Sequence, residues 1–259
     1  MRRFTPLLAG CLSLASFAAQ AYDGCRFSRD IDVTMDLGGV ASIEVLAVSG
    51  DLRIEGVSGA NAVSASGEAC VERQYRDRLD EFRIVEERDG PVLRIIAYVP
   101  YRSDDEDWRV GGLNLSLEVP DTLPLSVADS SGDIQIDGID SLVLNDTSGD
   151  INLYDIRGNV LIERDSSGDI NIRRTGAVEI RVDSSGDIDV VDAASLNVGK
   201  DSSGSIDART IAGDVRVGQD SSGSIVVSDV GGSFTVEHDS SGGIRHRQVA
   251  GDVSIPREY

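Results

Sequence analysis

Aspartates recur along this chain at a spacing that could build a ladder of ligands. Asp129, Asp146, Asp165, Asp183, Asp201, Asp220 and Asp239 each open an Asp-Ser/Thr-Ser-Gly unit, with starts 17, 19, 18, 18, 19 and 19 residues apart. A second aspartate follows the glycine at Asp133, Asp150, Asp169 and Asp187, and gives way to Ser205, Ser224 and Gly243 in the later units. Carboxylates are hard oxygen donors, which calcium takes at about 2.3–2.6 Å. Asp129, Asp133, Asp146, Asp150, Asp165, Asp169, Asp183 and Asp187 are therefore weak calcium candidates. Calcium β-rolls, however, carry a Gly-Gly-x-Gly-x-Asp unit at both bends of each turn. Here one bend carries the aspartate, and it lacks the second glycine. A local role competes: Asp can accept a hydrogen bond from the backbone two residues on, closing an Asx-turn, and Gly supplies a positive φ. Stacked carboxylates about 4.8 Å apart repel by roughly 0.9 kcal/mol per pair in water. Turn hydrogen bonds, and the basic residues Arg164, Lys200 and His238 just before three of the aspartates, are expected to offset that.

Catalysis would need a local exception to this regularity. Polysaccharide-active β-helix enzymes gather two or three carboxylates in a cleft, whereas these carboxylates are spread evenly along the repeat. The local exceptions are His246 between Arg245 and Arg247, and Trp108 beside an acidic stretch. Neither supplies a nucleophile, a base and an orienting group, so no catalytic or cofactor-binding residue is assigned. A flat Ser/Thr array of the ice-binding kind is also disfavoured, because the serine pairs sit beside glycine at a turn.

The repeat dictates the elements that carry these residues. Each unit holds two short segments with apolar residues at i and i+2, which face one side of a strand. Examples are Ile134/Ile136, Ile151/Leu153, Ile170/Ile172 and Ile188/Val190 in the first segment, and Val160/Ile162, Leu196/Val198 and Val215/Val217 in the second. Neither segment can bury its apolar face alone, but coiling stacks like positions about 4.8 Å apart around a dry interior. The expected fold is all-β, a parallel, right-handed β-helix or β-solenoid with 18–19-residue rungs. Residues 129–259 make seven rungs; residues 22–128 form a β-rich N-terminal region with one degenerate rung, Ser49-Gly50-Asp51-Leu52-Arg53-Ile54, and a cap that covers the open edge.

Arg2 and Arg3 precede an apolar run that ends in Ala19-Gln20-Ala21, so residues 1–21 read as a cleaved signal peptide with Tyr22 as the mature N-terminus. A lipid attachment at Cys11, in Leu8-Ala9-Gly10-Cys11, is the competing reading. Export into an oxidising compartment makes Cys25 and Cys70 a disulfide pair, worth roughly 3–4 kcal/mol on the chain-entropy model. A net charge of −21 argues against nucleic acid or anionic lipid as the main partner. No stretch after the signal approaches the roughly 18 apolar residues of a spanning helix.

The run Leu117-Glu118-Val119-Pro120, then Leu123-Pro124-Leu125-Ser126-Val127, then SSGDIQIDGI and TSGDINLYDIRGNV, resembles the bacterial putative-adhesin family of SGDI-repeat proteins, a domain of unknown function. The resemblance spans about residues 40–255. It implies an exported or envelope-associated β-solenoid and no catalytic residues. The expected function is a non-catalytic, adhesin-like binding scaffold at the periplasm, cell surface or outside the cell, contacting a surface polymer or a protein through Gln135, Asn152, Asn171, Asp189 and Asp207. The alternatives are a structural or envelope-stress component with a protein partner, then a calcium β-roll, then a polysaccharide-active enzyme.

Overall fold

A computed structural model describes residues 25–102 and 105–256. The signal-peptide segment, Cys11 and the side chain of Trp108 lie outside the described residues. The first half contains β1 (Phe27–Asp36), β2 (Ser42–Leu46), β3 (Leu52–Val57), β4 (Ala62–Val71), a 3-10 helix (Arg73–Glu81), β5 (Arg83–Asp89), β6 (Val92–Tyr98), a hairpin of β7 (Tyr101–Arg102) and β8 (Asp105–Arg109), and β9 (Gly111–Pro120). Then follow β10 (Leu125–Ala128), β11 (Ile134–Asp137), β12 (Leu142–Asn145), β13 (Ile151–Ile156), β14 (Val160–Arg164), β15 (Ile170–Val182) and β16 (Ile188–Asp201). The last strands are β17 (Ile206–Ile211), β18 (Val215–Asp220), β19 (Gly223–Val230), β20 (Phe234–Asp239), β21 (Gly242–Val249) and β22 (Val253–Ser254).

Alternation turns these strands into a β-solenoid with two parallel ladders. One runs β9, β3, β11, β13, β15, β16, β17, β19, β21, and stacks Leu52, Ile134, Ile151, Ile170, Ile188, Ile206 and Ile225 in a buried column. The other runs β6, β2, β10, β12, β14, β15, β16, β18, β20, β22, and buries Ile43, Leu125, Leu142, Val160, Val178, Leu196, Val215 and Phe234. The long strands β15 and β16 each serve both ladders. Stacked aliphatic side chains of one shape fill the interior, which explains how a chain with 5% aromatic residues closes a core.

Chain order and spatial order part company in the first half. The rung made by β2 and β3 lies between the rung made by β6 and β9 and the first repeat rung. Beyond β9 the chain switches to antiparallel pairing, β9 with β4 and β4 with β1, while β5 pairs antiparallel with β6. The 3-10 helix packs beside them, with Phe82 just after it fully buried. The Cys25–Cys70 disulfide ties the start of β1 to the end of β4.

The two bends use different devices. At the Ser-Gly corner, glycines from Gly132 to Gly242 hold φ between +122° and +146°. A Cβ on Gly186 would run into the carbonyl of Gly168, one rung below. The opposite bend turns on a left-handed residue that is glycine at Gly138 and thereafter Asp155, Arg174, Asp192, Thr210, Asp229 and Gln248, with φ from 53° to 61°. Gly138, Gly158, Gly176 and Gly213 recur near this bend in the sequence. The turning residue precedes the last three of these, whose part is to let the backbone approach the rung below.

Both devices predict stability changes measurable by thermal or urea denaturation. Gly186→Ala loses more than about 2 kcal/mol, through both φ and the collision. Thr210→Gly relieves a β-branched residue of a left-handed conformation and gains about 0.5–1 kcal/mol.

Candidate functional site

The Asp-Ser-Ser-Gly-Asp corner is the most repeated polar feature, and each of its residues acts between rungs. The second serine donates its hydroxyl to the carbonyl of the first serine or threonine of the rung below: Ser148 to Ser130 (3.1 Å), Ser185 to Ser166 (3.0 Å), Ser203 to Ser184 (3.1 Å) and Ser241 to Ser221 (3.1 Å). Each glycine N–H donates upward to the carbonyl of the next second serine, as from Gly149 to Ser167 (3.0 Å). The aspartate after the glycine accepts from the N–H of its counterpart one rung on: Asp133 from Asp150 (3.0 Å), Asp150 from Asp169 (2.9 Å), Asp169 from Asp187 (2.9 Å) and Asp187 from Ser205 (2.7 Å). Asp51 of the degenerate rung starts the series by accepting from Asp133 (3.2 Å). The side-chain ladder ends where serine replaces aspartate at Ser205.

The aspartate that opens each corner behaves differently. Asp129, Asp146, Asp165, Asp183, Asp201 and Asp220 are 0–5% exposed. Burial disfavours the ionised form. It pushes Asp129, Asp183 and Asp201 up to about 7 and Asp146 and Asp165 up to about 6, and raises Asp220 as well. Carboxylates one rung away add to the rise at Asp129, Asp165, Asp183, Asp201 and Asp220, while the N–H groups of the two following residues temper it. Those N–H groups close full Asx-turns only at Asp201, from Ser203 (3.1 Å), and Asp220, from Ser222 (3.1 Å). Both carboxyl oxygens of Asp129, Asp146, Asp165 and Asp183 are buried and none makes a hydrogen bond of full geometry among the described residues, while Asp165 lies against Asp183, and Asp183 against Asp201, closely enough to share a proton.

This amends the local reading of the corner. Arg164, Lys200 and His238 are exposed and form no ion pair with the column among the described residues. Burial favours the neutral acid at each of these positions, so repulsion within the column falls as they take up protons at about pH 6–7. The calcium candidates thus divide into a buried set (Asp129, Asp146, Asp165, Asp183) and an exposed, backbone-bonded set (Asp133, Asp150, Asp169, Asp187). Among the described residues no group of three or more His, Cys, Asp or Glu is placed to hold a metal ion.

On the outer face of the first ladder, register aligns Gln135, Asn152, Asn171, Asp189 and Asp207 in one row. All five are partly exposed. Arg209 holds Asp189 through both carboxylate oxygens (2.8 and 2.9 Å). His246 lies on the last rung with its ring 6.0 Å from that of Phe234.

No family model and no curated protein matches the chain. Solved structures do. A putative cell adhesion protein from Clostridium sporogenes is 8% identical, with 90% of this chain and 100% of that one covered and a TM-score of 0.29. A putative lipid binding protein from Parabacteroides distasonis is 17% identical, with 89% and 97% covered and a TM-score of 0.48. A putative adhesin from Bacteroides fragilis is 12% identical, with 88% and 97% covered and a TM-score of 0.34. Two of these three are named for adhesion and one for lipid binding, at a distance that carries no argument about a ligand. The disulfide fits an exported protein, and no helix among the described residues is long and apolar enough to cross a membrane.

The buried column sets a pH dependence. In the unfolded chain these carboxyls titrate near 3.8, whereas in the fold they hold their protons to about pH 6–7. The native state therefore binds more protons between those limits, and the stability they contribute, complete below about pH 4, is lost as pH rises through 6–7. Melting followed from pH 3.5 to pH 8 will show the stability of Asp183→Asn/Asp201→Asn relative to the parent rising from about pH 4, by roughly 1 kcal/mol per pH unit for each group, and levelling off above about pH 7.

Proposed function

We propose that the protein is an exported, non-catalytic scaffold that binds a surface polymer or a partner protein along its side. The observation that carries this reading is the polar row Gln135, Asn152, Asn171, Asp189 and Asp207, held in register by the parallel ladder. Amide and carboxylate groups recurring at one-rung intervals suit a ligand that itself repeats. Weak contacts made many times then add up without a deep pocket. The row is rigid because its strands are core strands, so little ordering cost attends binding. The even spread of carboxylates along the axis favours a scaffold over a catalyst, whose groups would converge.

The test is retention of the purified protein on glycan arrays and on cell-wall and envelope fractions. Asn152→Ala/Asn171→Ala, which removes two contacts worth about 1 kcal/mol each, will weaken retention about tenfold or more while leaving the fold intact. Loss of retention after protease treatment of the fraction identifies the partner as protein. Absence of retention on every fraction contradicts the proposal.

A further inference from the structure

The two ends of the solenoid differ in charge. β21 pairs with β19, and among the described residues no strand lies on its other side. In the repeat, each isoleucine N–H donates to the carbonyl preceding the next rung's isoleucine, as from Ile170 to Asp187 (2.8 Å) and from Ile188 to Ser205 (2.8 Å). Ile244 on the last rung meets no such carbonyl among the described residues. Beside it Arg245, His246 and Arg247 are exposed. Register sets Arg245 next to Val226 on the outer face and His246 next to the buried Val227, so the edge reads basic, histidine, basic. This is a positive strip on a chain of net charge −21, in which Arg247 also reaches Asp229 of the preceding rung at 3.8 Å, an exposed pair open to exchange.

At the opposite end of the same sheet β1 is the outermost strand. β4 runs antiparallel to β9, and β1 antiparallel to β4, so β1 runs in the same sense as β9 and as the rung strands through to β21. Its exposed residues are Ser28, Asp30, Asp32, Thr34 and Asp36, alternating with the more buried Phe27, Arg29, Ile31, Val33 and Met35. Arg29 is engaged away from the edge, donating to the carbonyls of Leu79 (3.3 Å) and Phe82 (2.7 Å). One end thus offers two arginines two residues apart, and the other offers two aspartates at the same interval. Both strands share one direction and one pleat.

We propose that this protein assembles head to tail: β21 of one copy pairs in parallel with β1 of the next, setting Arg245 and Arg247 against Asp30 and Asp32. The fit is electrostatic and geometric together, since the new pair continues the parallel sheet. A tail-to-tail pair would instead place arginine against arginine, which destabilises neighbouring strands. The contact is heterologous and leaves one free end on each copy, so it extends into a filament unless the rotation closes a ring. Charged edge residues also blunt unwanted pairing, and that role predicts a monomer.

Sedimentation velocity of the full chain separates the two. Wild-type protein will associate with rising concentration at low salt and dissociate at about 1 M salt, where the screening length is about 3 Å. Arg245→Glu/Arg247→Glu and Asp30→Arg/Asp32→Arg will each sediment as monomers, at least about tenfold weaker in self-association. Mixed one to one, they will regain association and extend as an alternating chain, because every acidic end of one variant then meets a basic end of the other. Circular dichroism of each variant establishes that it is folded. A wild type that stays monomeric at every concentration and salt, association that survives both charge swaps, or folded variants that fail to pair on mixing overturns the proposal.

Discussion

Everything in this structure depends on a hydrogen-bond register passed from one rung to the next at a single corner. The glycine has no side chain because the carbonyl below occupies the place of a Cβ. That close approach brings serine hydroxyls within reach of carbonyls one rung below, and aspartate carboxylates within reach of N–H groups one rung on. The second serine and the aspartate after the glycine thus satisfy backbone groups that a tight turn would otherwise leave exposed or buried unpaired. Regularity of this kind identifies the motif as architecture.

The corner also creates the one chemically unusual feature, a column of carboxyls shut away from water. Six acids within 5% exposure are costly as anions, and the fold raises their pKa values, because removing a charge from water costs more than removing a neutral acid. Repulsion between neighbours, which looks severe when the aspartates are imagined exposed, is largely absent once they are neutral. The exposed aspartates after the glycine remain acceptors from backbone N–H groups. Their loss from Ser205 onward ends the side-chain ladder but not the stack, since the glycine, serine and core contacts continue through Gly242.

Much of the fold was legible because solenoids repeat their logic. The spacing of Asp129 through Asp239, the i, i+2 pairs such as Ile170/Ile172, and the pairing of Cys25 with Cys70 all follow from simple periodicity or from counting cysteines. Three things were not legible. The burial of the leading aspartates runs against the usual exposure of that residue type, and only the handedness of the corner reveals which way the side chain points. The left-handed column at Asp155, Arg174 and Thr210 carries no glycine signal after Gly138, since backbone strain there is imposed by the stack. Finally, β6 and β9 follow β2 and β3 in sequence yet stack on their far side, a rearrangement that strand patterns alone do not encode. The outward row Gln135 to Asp207 was readable, whereas the charge contrast between β21 and β1 required knowing that they are opposite ends of one sheet.

The most direct test is a pH titration of the aspartate carboxyls by carbon-13 NMR in labelled protein. Asp129, Asp146, Asp165, Asp183 and Asp201 of the buried column will titrate as a group near pH 6–7, and Asp183→Asn will remove one resonance from that group while shifting its neighbours at Asp165 and Asp201. If the buried aspartates instead titrate near their unfolded value of 3.8, the carboxyls are ionised in the fold, and the corner must be held by some other balance of charge.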